Sequence, residues 1–239
     1  MQRETIYDPV FDAQEHYRLL LDSMARPGKI NLLPRMQLSV PAASPETAGH
    51  AISTATASQS GPAILTEAAA LVGFALLNAD VSFHVDGAGA DQATRYLLVN
   101  TSARPAEAEE ADFVFASGQA SAMLVESMKK GSLPYPEEGA TLVANVGALA
   151  TEAQGLGLKP AAAGQPQSND RLAITLKGPG VAGEKTFFVR GLNAAVLTAL
   201  QQSNSEFPLG IDLILADGDG RLACIPRSSQ IRWEITSID

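Results

Sequence analysis

The sequence predicts an α/β sandwich built around a mixed β-sheet. Segments with the helical spacing of apolar residues alternate with short apolar strand segments early in the chain, and strand segments follow one another closely near its end. Alternating helices and strands favour parallel strands joined by crossover helices, whereas consecutive strands favour antiparallel hairpins. With 239 residues, the chain is long enough to bury a large core without disulfide bonds.

The first helix is predicted over residues 11–24, where the apolar side chains at 17, 20, 21 and 24 share one helical face. Asp12 and Glu15 have the spacing of a capping box at its start. Arg26 precedes a proline, which disfavours helical backbone at Arg26, and the pair Pro27-Gly28 completes the stop.

Five further helices are predicted along the chain. One begins at Ser44, where a proline occupies the first helical position, and the strongly apolar segment 65–77 predicts a largely buried one. The others are predicted over 92–100, 120–128 and 192–202. Two lysines and a glycine follow residue 128, and they suit the C-terminus of a helix because cations complement its dipole.

Eight strands are predicted from short apolar or alternating runs. They cover residues 81–85, 113–116, 141–146, 172–177, 184–189, 211–216, 222–225 and 231–235. Residues 155–169 are rich in Gly, Ala, Pro and Gln, which predicts a mobile loop rather than a linker between domains.

Composition excludes several classes of protein. The formal net charge of −9 argues against a nucleic-acid-binding protein, which needs a basic face. No apolar run approaches the roughly 20 residues of a membrane span, and residues 1–5 lack the apolar segment of a secretion signal, so we expect a cytoplasmic protein. The single cysteine, Cys224, lies in an apolar strand and is expected to be a small buried hydrophobe.

Motifs that resemble nucleotide and metal sites fail in context. Residues 178–183 spell G-x-G-x-x-G, but a strand follows instead of the helix that a dinucleotide site requires, so a hairpin loop is predicted. Glu184 interrupts a similar near-match to a P-loop. His16, His50 and His84 lack the paired spacing of a zinc site, and we expect His16 at the surface or its boundary. Glu137 and Glu138, at a Pro/Gly turn, are expected to be solvated.

A single carboxylate stands within the apolar segment 209–215. Burying Asp212 costs free energy unless a partner satisfies it, and the simplest interpretation is that it accepts hydrogen bonds from nearby backbone N–H groups at the entry of a strand.

Four ordered segments of the chain resemble the PhnH family of the bacterial carbon–phosphorus lyase system. They are FDAQ at 11–14 leading to MARPG at 24–28, PEEGATLV at 136–143, LKGPGV at 176–181, and FPLGIDLIL at 207–215 followed by IPRSS at 225–229. None of these segments is a catalytic motif. The resemblance implies that residues 1–239 form a single PhnH-like domain.

The resemblance also implies a three-layer αβα sandwich similar to the large domain of pyridoxal-phosphate-dependent transferases. Such an enzyme needs a lysine that binds the cofactor, and no lysine of this sequence stands in an obvious context for it. We therefore expect the fold without a cofactor, and a colourless protein.

For function, the resemblance implies a non-catalytic or co-catalytic subunit of a core complex with PhnG, PhnI and PhnJ. Together with PhnG, PhnI and PhnL it would take part in displacing adenine from ATP by an alkylphosphonate, which gives alpha-D-ribose 1-alkylphosphonate 5-triphosphate. The family's habit, and a sequence that is 46% hydrophobic against 18% charged, also imply a homodimer when isolated. The alternative is an autonomous small-molecule enzyme or phosphonate-binding protein.

Three residues are candidates for a ligand or interface site: Arg26, Asp212 and Arg227. Both arginines are predicted at the ends of elements, where α/β sheets commonly place ligand groups, and a guanidinium suits phosphonate or triphosphate oxygens. The alternative is that one arginine pairs with Asp212 and fixes the packing of the last strands, or anchors a partner subunit.

Overall fold

A computed structural model describes residues 7–34, 36, 38, 65–156 and 171–236 of the chain. The helix predicted from Ser44, most of the loop predicted over 155–169, and residues 1–5 lie outside the described residues. None of the helices in the described part of the chain is both long and apolar enough to cross a lipid bilayer.

The described residues form five α-helices, two short 3-10 helices and eleven strands. The helices are α1 Phe11–Ala25, α2 Glu67–Leu76, α3 Ala90–Thr101, α4 Ala122–Ser127 and α5 Ala194–Ser203, and the 3-10 helices are Pro136–Glu138 and Ala153–Leu156. The strands are β1 Asn31–Leu32, β2 Ser82–Val85, β3 Arg104–Pro105, β4 Phe113–Ser117, β5 Thr141–Val146, β6 Ala148–Ala150, β7 Arg171–Lys177, β8 Lys185–Arg190, β9 Asp212–Asp217, β10 Arg221–Ile225 and β11 Gln230–Thr236.

The predicted α/β class and mixed sheet are confirmed. A seven-stranded sheet has the order β1-β10-β9-β5-β4-β2-β3, in which the strands from β9 to β3 are mutually parallel. Helices α3 and α4 lie in the connections between consecutive parallel strands. The tight turn after β9 returns the chain as β10, which is antiparallel, and β1 pairs antiparallel with β10.

A second sheet was not predicted as a separate unit. It has four antiparallel strands in the order β11-β7-β8-β6. Its β7–β8 hairpin turns at residues 178–184, so the G-x-G-x-x-G sequence is a hairpin loop, as predicted. The last three predicted strands therefore divide between two sheets: β9 and β10 belong to the large sheet, and β11 belongs to the second. Helices and this second sheet together cover one face of the large sheet, which was predicted to be covered by helices alone.

The alternation of side chains along the parallel strands builds two cores. On β5, Leu142 and Ala144 face one core, and Val143 faces the other. The first core contains residues of α4, α5 and the second sheet, and the second core contains residues of α1, α2 and α3. Because β4, β5, β9 and β10 contribute side chains to both cores, the large sheet couples the packing of its two faces.

The start of α1 corrects the predicted capping box. Asp8, one turn earlier than predicted, accepts hydrogen bonds from the backbone N–H groups of Val10 and Phe11 at 2.8 and 3.0 Å. Asp12 accepts from the N–H of Asp8 at 2.6 Å, so Asp12 does take part in a reciprocal cap, but with Asp8 rather than Glu15. The helix ends as predicted, with Arg26 outside helical backbone and Gly28 at φ 80°.

The lysines after α4 do not complement its dipole. The helix ends at Ser127, with no basic residue in its last turn. Lys129 instead forms an ion pair with Asp112 at 2.5 Å, and Lys130 forms a β-bridge with Gly139. Lys129 thus fastens the chain after α4 to the residue before β4, and Lys130 joins the two ends of the connection between α4 and β5.

Cys224 provides a direct test of the packing of β10. Its side chain is fully buried. Burial raises the pKa of the Cys224 thiol far above its usual range, the nearby Asp212 carboxylate raises it further, and a hydrogen bond with Ser23 opposes them. The thiolate is the reactive species, so we expect a disulfide reagent to leave the native chain unlabelled and to label one thiol per chain after unfolding. Complete labelling within minutes, with native circular dichroism retained, would show that β10 is not packed as described.

Candidate functional site

Two of the three predicted site residues form an ion pair. Nη2 of Arg227 lies 2.6 Å from Oδ2 of Asp212, and Nε donates to the same oxygen at 3.1 Å. The backbone N–H of Arg227 donates to Oδ1 of Asp212 at 2.7 Å. Both side chains are largely buried, with 14% and 19% of their surface exposed. The backbone bond expected for Asp212 is present, and a guanidinium completes its neutralisation.

The remaining donors of Arg227 fix a loop to the large sheet. Nη1 donates to the carbonyl of Pro136 at 2.7 Å, and Nη2 donates to the carbonyl of Gly139 at 3.2 Å. A Cβ on Gly139 would overlap Nη1 of Arg227 and the carbonyl oxygen of Gly210, so only glycine fits between them. The Arg227 side chain therefore joins the end of β10, the start of β9 and the 3-10 helix Pro136–Glu138.

Arg26 does not join this pair. Its guanidinium lies 2.8 Å from Asp22 on the same helix, and 64% of the side chain is exposed. Asp22 also accepts from Lys29 at 2.5 Å and from Asn31 at 2.8 Å, and these hydrogen bonds, before the charges of Arg26 and Lys29, hold the pKa of Asp22 below its usual range. An exposed pair within one helix contributes little to stability.

The position of the Asp212–Arg227 pair favours a role in packing. Asp212 is the first residue of β9, so the pair lies at the amino-terminal edge of the parallel strands. Ligands of open α/β sheets bind at the opposite edge, outside the carboxyl ends of the strands. The arginine also has most of its donors bound within the chain.

The carboxyl-terminal edge carries polar residues that were not among the predicted site residues. Oγ1 of Thr66, the N-cap of α2, donates to Oδ1 of Asn145 near the end of β5 at 2.7 Å. Asn145 is 9% exposed. One feature of the sequence could have indicated this site: Asn145 lies within an otherwise apolar strand, where its amide requires polar partners.

Asp217, at the end of β9, is the most buried carboxylate of the described residues, at 1% exposed. It accepts hydrogen bonds from the backbone N–H groups of Asp219 and Arg221, both at 2.9 Å, and of Leu149 at 3.0 Å. The guanidinium of Arg221 lies 3.4 Å away. These bonds join the β9–β10 turn to the second sheet, so Asp217 holds the two sheets together.

Backbone segments approach closely at this edge. The N–H of Gly118, after β4, donates to the carbonyl of Asn145 at 2.6 Å, and the N–H of Gly147 donates to the carbonyl of Arg190 at 2.8 Å.

A cavity beside the start of α2, lined by residues including Glu67 and Gly218, has a volume of about 10 Å³, which suits one water molecule. The described residues leave no room for a nucleotide in that cavity.

The histidines do not form a metal centre in the described part of the chain, where no group of three His, Cys, Asp or Glu side chains has metal-binding geometry. His16 corrects a prediction, because it is buried, with 1% exposed, and its ring stacks on Tyr7 with centroids 5.9 Å apart. Burial lowers the pKa of His16, and a hydrogen bond with the carbonyl of Pro34 opposes that effect.

The other predicted residues are isolated from His16 in sequence. Nδ1 of His84 lies 2.9 Å from the carbonyl of Ala106. His50 lies outside the described residues. Glu137 and Glu138 are exposed, as predicted.

Comparison with known proteins gives matches along nearly the whole chain. Residues 4–232 match a family model described as bacterial phosphonate metabolism protein (PhnH). A Rhizobium meliloti protein named alpha-D-ribose 1-methylphosphonate 5-triphosphate synthase subunit PhnH is 28% identical over 229 residues, covering 95% of this chain and 94% of that protein. A Stutzerimonas stutzeri protein named putative C-P lyase subunit protein HtxG is 33% identical over 128 residues, covering 54% of each.

Proposed function

The chain belongs to the PhnH family of bacterial phosphonate metabolism proteins, and we propose that it is a subunit of a carbon–phosphorus lyase system for the catabolism of organic phosphonates. The observation that carries this proposal is the end-to-end match to a relative named as a synthase subunit, which covers both chains almost completely.

The reaction proposed for the complete synthase is a substitution at C1′ of ATP. An oxygen of the alkylphosphonate forms a bond to C1′, the bond from C1′ to the adenine nitrogen breaks, and adenine leaves after taking up a proton. The product is alpha-D-ribose 1-alkylphosphonate 5-triphosphate. We propose that the chain takes part in this step with PhnG, PhnI and PhnL, and that it belongs to a core complex with PhnG, PhnI and PhnJ. Because the reaction consumes ATP, we place it in the cytoplasm.

Within the complex we propose a supporting rather than a catalytic role for this subunit. Arg227 and Asp212 satisfy each other and fix a loop, and Asp217 is bound by three backbone N–H groups. Side chains engaged in this way are unsuited to proton transfer, since each would have to break its bonds first. The candidate residues Arg26, Asp212 and Arg227 are therefore assigned to helix and loop structure.

Three further features belong to the proposal. We propose that residues 1–239 belong to a single PhnH-like domain, and the support is that the large sheet contributes side chains to both cores of the described residues. We propose that the fold resembles the large domain of pyridoxal-phosphate-dependent transferases but uses no such cofactor. Of the five lysines in the described residues, Lys29 and Lys129 form ion pairs with Asp22 and Asp112. The isolated chain forms a homodimer, which sedimentation at micromolar concentrations tests directly.

The proposal is tested by co-expressing the chain with the partner subunits. We expect it to co-elute with them in size-exclusion chromatography, and we expect a preparation that lacks the chain to release adenine from ATP and methylphosphonate at least tenfold more slowly. The isolated chain is expected to release none. Turnover of ATP or a phosphonate by the isolated chain would instead support an autonomous enzyme.

A further inference from the structure

Two loops meet at the amino-terminal edge of the large sheet. The first connects α4 to β5 and includes residues 129–140, and the second connects α5 to β9 and includes residues 204–211. The N–H of Gly210 in the second loop donates to the carbonyl of Lys130 in the first at 2.9 Å. Arg227, paired with Asp212, fastens the first loop to the sheet, as described above, and the hydrogen bond from Gly210 joins the second loop to the first.

The two loops, held by these hydrogen bonds, expose three large apolar side chains. Ser132 and Tyr135 exchange backbone hydrogen bonds at 3.0 and 3.1 Å, which closes a turn with Leu133 at its tip. Leu133 is 75% exposed, Tyr135 57% and Phe207 66%. We call Leu133, Tyr135 and Phe207 the amino-edge patch. Ordered loops that hold large apolar groups in water are typical of a protein interface, because exposing such groups costs free energy in an isolated molecule.

Acidic residues are sequence neighbours of the residues of this patch. Glu137 and Glu138 follow Tyr135 in sequence, Glu206 precedes Phe207, and all three are exposed. The carboxylates carry the same sign as the whole chain, whose net charge is −9. A partner surface that covers the patch is therefore expected to carry positive charge at its rim, since basic groups would complement these carboxylates and an acidic rim would repel them.

We propose that the amino-edge patch binds a different subunit of the complex, through an apolar pocket rimmed by lysine and arginine side chains. This inference rests on the proposed function, and it assigns a surface to the contact. A second copy of this chain is the poorer occupant, because an isologous contact would place three carboxylates against three identical ones. The Asp212–Arg227 pair acts in this contact indirectly, by holding the loop that presents Leu133 and Tyr135.

The test compares the double variant Leu133→Ser/Phe207→Ser with the control Met123→Ser. Met123 is 71% exposed on α4 and outside the patch, so both variants remove exposed apolar groups of similar accessibility. With melting temperatures unchanged, we expect the double variant to bind immobilised partner subunits at least tenfold more weakly and the control to bind like the wild type. Equal binding by the double variant would overturn the proposal.

A second pair of variants tests the charge of the partner. The rim variant, Glu137→Lys/Glu138→Lys, reverses the charge of two of the three acidic residues next to the patch. The control, Glu109→Lys/Glu110→Lys, makes the same change at two adjacent exposed residues in a different loop. We expect the rim variant alone to weaken binding, and its deficit to shrink as salt is raised from 50 to 300 mM, roughly as screening of surface charges requires. Tighter binding by the rim variant would contradict a basic pocket.

The outcomes separate this inference from the proposed function. If the wild-type chain fails to bind the partner subunits at all, the proposed function fails. If the wild type binds and the patch variants bind equally well, the function stands and the patch proposal fails. Conversion of a wild-type homodimer to monomers by Leu133→Ser/Phe207→Ser, with partner binding retained, would assign the patch to a second copy and overturn the proposal.

Discussion

Replacing Arg227 with alanine is expected to lower the free energy of unfolding by about 2–4 kcal/mol. The change leaves the Asp212 carboxylate largely buried without its cation, and it removes the donors to the Pro136 and Gly139 carbonyls. For a chain of this length, the corresponding fall in melting temperature is roughly 5–15 °C. Differential scanning fluorimetry and urea unfolding measure both quantities.

The matched control is Arg26→Ala. This arginine also pairs with an aspartate, but 64% of its side chain is exposed and the pair lies within one helix. We expect a change of no more than about 0.5 kcal/mol. The account would be wrong if the Arg227 variant kept the wild-type melting temperature and assembled normally but released adenine more than tenfold more slowly, because that result would place Arg227 at a ligand.

Replacing Gly118 with alanine is expected to destabilise the chain by about 2–3 kcal/mol. A Cβ at this position would overlap the carbonyl oxygen of Gly191 and lie 2.9 Å from that of Asn145. Both obstacles are backbone atoms, so neither can move aside by a change of rotamer. The strand ends at this edge would have to separate, which would lengthen the 2.6 Å hydrogen bond from the N–H of Gly118 to the Asn145 carbonyl.

Gly218→Ala is the control for this prediction. A Cβ on Gly218 meets no atom within 4 Å, and its φ lies outside the left-handed region. We expect its urea midpoint to match the wild type within error. Equal loss of stability in the two variants would indicate a general sensitivity of the carboxyl-terminal edge, rather than the close contact at Gly118.

The five longer strands of the large sheet could be predicted because they are apolar runs bounded by helices or turns, whereas the two-residue strands β1 and β3 were not predicted. The predicted bounds 141–146 coincide with β5, and each of the other predicted strands differs from the observed one by one residue, at one end or at both. The division into two sheets could not be predicted, because local sequence does not encode which strands pair. β11 follows β10 after four residues, yet it pairs with β7, more than fifty residues earlier.

The candidate site was predicted in part. Asp212 was selected because a carboxylate in an apolar strand requires a partner, and the structure shows Arg227 as that partner. Arg26 was selected by its position at a helix end, which does not reveal that Asp22 is its nearest partner. The burial of His16 was not predicted, because the ring that stacks on His16 belongs to Tyr7, which lies before the helix in sequence.

The most direct measurement is the rate of adenine release from ATP and methylphosphonate by the partner subunits as purified chain is added back. A supporting subunit predicts a rate that rises with added chain and saturates at a fixed ratio of chain to partner. It also predicts no release by the chain alone. With Leu133→Ser/Phe207→Ser it predicts the same saturating rate, reached only at a higher ratio of chain to partner. A full rate without the chain, or adenine release by the chain alone, would contradict the account.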